Sequence, residues 1–163
     1  MDTKNKIIKV ASIGKICSQV LYILSIVACL VFTVLAIVLS CTHAIKSIES
    51  AETAIIFAVL ALYAFFMFGL LWNVQQFFAS IQQAKSVFNA RSGKYLKKSA
   101  IFTMVVSFVP AIIGSALMHA IVPASEFVFR IELVGIITGA LLTLVGLFFQ
   151  YGQELQKKDD ETL

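Results

Sequence analysis

The side chains able to do chemistry in this chain are few and scattered. His43 and His119 fall in one layer with Cys41, Glu49, Glu52 and Glu126 once the chain is threaded through a membrane as argued below. Imidazole, thiolate and carboxylate are ligands for Zn²⁺, and imidazole titrates near neutral pH. No short ligand spacing such as HxxxH joins them, and haem would want histidines facing each other between spans, so no metal or cofactor is expected. Cys17, Cys29 and Cys41 fall at an inner boundary, mid-span and at an outer boundary. At about 1.5 Å of helical rise per residue they lie too far apart for a disulfide, and they read as small apolar fillers. A coupled transporter or proton pump keeps ionisable groups near mid-membrane. The span middles hold none, and Glu132, at the outer start of the fourth span, reads as an interface residue. With no catalytic constellation either, the chain reads as non-enzymatic.

What must position these residues is a membrane. Of 163 residues 60% are hydrophobic and 13% charged, with a mean hydropathy of +0.93. A soluble domain carries about half apolar and about a quarter charged residues, so this chain is an integral membrane protein. About 20 apolar residues cross the hydrocarbon layer as a helix. The spans are Val20–Ser40, Ala54–Trp72, Ala100–Val122 and Ile131–Tyr151. The remainder, a loop over 73–98 and a tail over 152–163, is too short for a soluble domain, so residues 1–163 form one membrane domain. The candidate lipoprotein sites Ile26-Val27-Ala28-Cys29 and Val38-Leu39-Ser40-Cys41 do not lead to a polar mature start close behind a signal. The basic start and first apolar run therefore read as an uncleaved anchor.

Orientation follows from charge. The 73–98 stretch carries Lys85, Arg91, Lys94, Lys97 and Lys98 with no acid, and Lys4, Lys6, Lys9, Lys15, Lys157 and Lys158 join it on one side. Only Lys46 and Arg130 fall on the other. Lys and Arg near span ends resist translocation, which places both termini and the central loop in the cytoplasm. The expected fold is an all-α integral membrane protein, four transmembrane helices arranged as two hairpins, N-in and C-in. The five central basic residues then lie at the membrane surface, where anionic lipid explains them without direct nucleic-acid binding. Residues 1–19 carry apolar positions at helical spacing (Ile7, Ile8, Val10, Ile13, Ile16), an N-terminal amphipathic helix on the inner surface.

Beyond Trp72 the pattern Val74, Phe77, Phe78, Ile81, Ala84, Phe88 keeps a helical period, with glutamines opposite. The second helix is therefore expected to extend into the cytoplasm as far as a breaker over 89–93. Its apolar stripe needs a cover: headgroups, the chain's own N-terminal helix, or a partner protein. Small residues recur inside the spans, namely Ser25, Cys29, Thr33, Ala36 and Ser40 in the first, Ala54, Ala58 and Ala61 in the second, and Gly135, Gly139, Thr143 and Gly146 in the fourth. Helices in lipid associate by close packing, so these faces mark contacts. The Gly135–Gly139 GxxxG match suits packing inside the bundle and also homo-oligomers. Pro110, with Gly114 one turn on, predicts a kink. In the second outer loop, Glu126 and Arg130 stand at i,i+4.

The tail from Gly152, a candidate helix cap, ends Leu155-Gln156 and then Asp160-Glu161-Thr162-Leu163. This ending, with Val87-Phe88 and Gly93-Lys94-Tyr95-Leu96-Lys97-Lys98, resembles the DUF2975 family of small four-span bacterial membrane proteins. Where that family is expected to have Pro before the Phe, this chain has Val87. The resemblance implies a multi-pass protein of the bacterial cytoplasmic membrane, often encoded beside a small helix-turn-helix DNA-binding protein. It thereby suggests a regulatory or scaffold role, holding or releasing that regulator. Phe77, Ile81 and Phe88 of the stripe and Leu155, Asp160, Thr162 and Leu163 of the tail are the candidate docking residues. A small-molecule or ion pathway, or an immunity-type protein against membrane-active peptides, is the alternative.

Overall fold

The computed structural model describes residues 3–41, 48–84, 89–122 and 132–161. These form four helices, α1 (Thr3–Cys41), α2 (Ile48–Ala84), α3 (Ala90–Ile121) and α4 (Leu133–Glu161). Hydrocarbon offers no partner to a backbone N–H or C=O, so a chain this apolar satisfies those groups within helices. Each helix has a stretch long and apolar enough to cross a membrane. All four are longer than a crossing needs: α2, at 37 residues, is about 55 Å long against a hydrocarbon layer of about 30 Å.

The surplus length lies largely at the end marked by Trp72 and Ala100, called here the basic end. α1 runs through the N-terminal segment into the first span as one helix, without the turn expected from an amphipathic segment lying flat. The breaker expected over 89–93 is instead the cap and first turn of α3. Asn89 has extended backbone (φ −136, ψ 154), and its side chain accepts from the Ser92 N–H at 2.8 Å while the Ser92 hydroxyl accepts from the Asn89 N–H at 3.4 Å. This reciprocal pair satisfies two of the donors that a helix start leaves open. Gly152 does not cap α4, which continues to Glu161.

Among the described residues each helix packs along its neighbour in the chain, and the backbones of α1 and α4 do not approach. The bundle is an open row. Small residues set the α1–α2 approach as their spacing indicates: Ser25 Oγ donates to the Ala64 carbonyl at 2.9 Å, and Cys29 Sγ to that of Ala61 at 3.6 Å. Against α3 the glycines of α4 do the same. A Cβ on Gly139 would meet Met104 Cγ at 2.6 Å and the Ala100 carbonyl oxygen at 3.0 Å, and one on Gly135 would overlap the Ser107 hydroxyl. The GxxxG pair thus faces α3. At the opposite, far end, Ile55 and Val59 of α2 close on Met118 and Val122 of α3 to form the apolar core.

One register differs from a flush hairpin. The Glu132 N–H, at the start of α4, donates to the Ser107 carbonyl at 3.2 Å. Ser107 lies about 22 Å along α3 from Val122 and about 10 Å from Ala100. The start of α4 is therefore shifted toward the basic end relative to α3.

Candidate functional site

At the basic end, four helix ends run past the Trp72 level and form a platform. It is held by aromatic contacts. Gly14 on α1 admits the Phe78 ring, which a Cβ there would meet at 2.6 Å. Phe77 stands edge-on to Phe78 at 5.4 Å between centroids and reaches Phe149 of α4 at 6.1 Å. Tyr22 of α1 stacks on Phe68 at 4.7 Å, with Trp72 at 5.7 Å. Polar ties add to this: Lys97 Nζ donates to Gln150 Oε1 at 2.7 Å, and Asn89 Nδ2 to the Ser80 carbonyl at 3.4 Å.

Two concavities open on the platform. One, of about 370 Å³, is lined by Lys6, Ile7, Val10 and Ala11 of α1 and by Phe77, Phe78 and Ile81 of α2. The stripe on α2 is thus covered along one side by the chain's own N-terminal helix, with a gap left between. The second, of about 330 Å³, lies between the end of α2 and the start of α3 among Ser80, Gln83, Ala84, Asn89 and Arg91.

The candidate docking residues divide accordingly. Ile81 is buried, and Phe77 sits between α1, α2 and α4, so both support the platform from within. Leu155 is 46% exposed. It ends a row on α4, Leu141, Leu144, Phe148, Tyr151, Leu155, all exposed and on the side away from the glycines that touch α3. Phe148 and Tyr151 escape a sequence reading because their row begins inside the span, where apolar residues look like ordinary lipid contacts. Asp160 is in the last turn of α4, its side chain outside the described residues; Phe88, Thr162 and Leu163 lie outside them entirely. Of the basic set, Arg91, Lys94 and Lys98 are exposed, Lys97 is half-buried against Gln150, and Lys85 is outside the described residues.

Among the described residues no three metal-binding side chains come together, and Cys17, Cys29 and Cys41 are free thiols. His119 is exposed near the end of α3, while His43 and Glu126 lie outside the described residues. What the arrangement offers is a surface: basic positions on α3 and an apolar row on α4, joined by Lys97–Gln150. Compared with protein-family models, with curated proteins and with solved structures, the chain finds no match in any of the three.

Proposed function

We propose that this chain is a multi-pass membrane protein whose platform holds a cytoplasmic protein, acting as a regulatory or scaffold partner rather than as an enzyme. One observation carries the reading: the helices pack together at the end that bears the basic residues, with an exposed apolar row on α4 beside them. Charge supports the orientation. A layer rich in Lys and Arg resists export, which assigns the platform and both termini to the cytoplasm. The resemblance to DUF2975 suggests a small helix-turn-helix regulator in the bacterial cytoplasmic membrane setting. Leu155, with Phe148 and Tyr151, would supply its apolar contact, with Phe88 and the tail residues Asp160, Thr162 and Leu163 as further candidate contacts; Phe77 and Ile81 act as the support beneath. An amphipathic helix laid on such a row is a common mode of recognition.

Co-purification in mild detergent from native membranes tests this, with the intact chain beside one ending at Gly152. The expected result is a small DNA-binding protein retained by the intact chain and lost from the truncated one. Loss of the last turns of α4 without any change in what co-purifies would sink the tail as the contact. A Leu155→Glu variant, which leaves α4 its full length, should give the same loss.

A further inference from the structure

The seam between α1 and α2 opens at the basic end. Gly14 admits the Phe78 ring, which a Cβ there would meet at 2.6 Å, and beyond that contact the two helices leave a groove of about 370 Å³. Its floor is Ala11 and Ile81, both buried. Ile7, Val10 and the rings of Phe77 and Phe78 form the walls, and Lys6 is the one polar residue of the lining. Both walls belong to stretches long and apolar enough to cross a membrane, Asn5–Cys41 of α1 and Ala51–Ala84 of α2. A ligand for this groove can therefore come from the lipid.

Lys6 sets the charge of that ligand. α1 has no acid, and α2 has none past Glu52, at the far end. Among the described residues no carboxylate or hydrogen-bond acceptor meets the Lys6 ammonium. The residue is exposed, on the open side of the groove with Val10. A polar ligand such as a nucleotide would leave its donors and acceptors unpaired against isoleucine, valine and phenylalanine, which is costly. A helix, about 10 Å across with its side chains, is too wide for a cleft whose walls already touch at Gly14 and Phe78. An alkyl chain is narrow, needs no hydrogen bond and gains dispersion contacts with both rings. Hydrocarbon solvates that chain as well as the groove does, so the tail alone is not selected. The head is selected, because an anion opposite Lys6 gains an attraction that a zwitterion does not. From Val10 an exposed row, Ile13, Cys17, Leu21 and Leu24, runs on along α1 and continues the path for tails.

We propose that this groove holds one anionic phospholipid, its phosphate on Lys6 and a tail between α1 and the Phe77–Phe78 pair. Native mass spectrometry of the full chain in detergent, titrated with phosphatidylglycerol and with phosphatidylcholine of the same chains, measures it. The first phosphatidylglycerol is expected to bind about fivefold more tightly than phosphatidylcholine, and Lys6→Gln should remove that preference. Lys9→Gln deletes the same charge from an exposed residue outside the lining and should keep the preference. Ile7→Trp, which fills the groove and retains Lys6, should lose the first bound lipid. Oleate, an anion with a single tail, tests the source, and phosphatidylglycerol should outcompete it. Equal binding of the two phospholipids to the intact chain, a preference retained in Lys6→Gln, or an equal loss in Lys9→Gln would each overturn the proposal. So would unchanged lipid binding by a folded Ile7→Trp chain, or displacement of phosphatidylglycerol by oleate at equal concentration.

Discussion

Gly139 and Gly93 are both glycines on helices that touch, yet a methyl group has opposite consequences at the two. At Gly139 the added carbon would press on the Ala100 carbonyl oxygen at 3.0 Å, and backbone cannot swing aside as the Met104 side chain can. At Gly93 it would meet Gln150 Cγ at 3.6 Å, an ordinary contact. Gly139→Ala is thus expected to destabilise by about 1–3 kcal/mol through overpacking. Gly93→Ala should be neutral or stabilising by up to about 1 kcal/mol, because Ala is the better helix former. Thermal unfolding in one detergent compares them, and an equal loss in both would remove the α3–α4 approach as the explanation. The small-residue faces were legible in the sequence because packing in lipid selects them directly. The register of α4 against α3 was not legible, because it depends on which carbonyl of α3 the Glu132 N–H meets, and no local pattern around Glu132 encodes that.

Two features of the elements separate what a helical pattern carries from what it does not. The extension of α2 past Trp72 follows from the spacing of Phe77, Phe78 and Ile81, since that stripe continues the period of the span. The early start of α3 is hidden, because Asn, Ser and Gly between spans read equally as loop and as cap; only the Asn89–Ser92 pairing decides. Asn89→Ala should cost about 1 kcal/mol and deprotect the first amides of α3 in hydrogen exchange, leaving those beyond Ala100 unchanged. Uniform loss of protection along α3 would mean that the cap is not what holds this turn. The α4 register is testable by cysteine pairs in a background with Cys17, Cys29 and Cys41 replaced. Ser107→Cys with Gly135→Cys should cross-link on mild oxidation, since the two positions touch. Met118→Cys with Gly135→Cys should not, although a hairpin aligned flush at the span ends would bring that pair together. The reverse outcome would mean that α3 and α4 are aligned flush at their span ends.

Across the whole molecule, the open row makes α1 a separable layer. Among the described residues its backbone approaches α2 alone, through Ser25, Cys29 and the rings of Tyr22 and Phe32, and most of its remaining surface is exposed. Lipid covers that surface at no cost, because in hydrocarbon an exposed leucine is already solvated. Four apolar spans in a sequence imply membrane helices but not whether the first and last meet, since closure depends on which faces are small and on how far each helix slides. A bulky side chain in the α1–α2 seam discriminates. Ala64 is buried beneath Ser25, and Ala64→Leu should cost that interface about 1–3 kcal/mol by overpacking. In an open row α1 alone loosens. The emission of Trp72, the single tryptophan, should then change as its contact with Tyr22 is lost, while the Ser107→Cys/Gly135→Cys cross-link forms as before. A closed bundle would transmit the strain from α1 to α4 across their shared face, and the cross-link would weaken with the tryptophan signal. Movement of one without the other is therefore the signature of helices joined only to their chain neighbours.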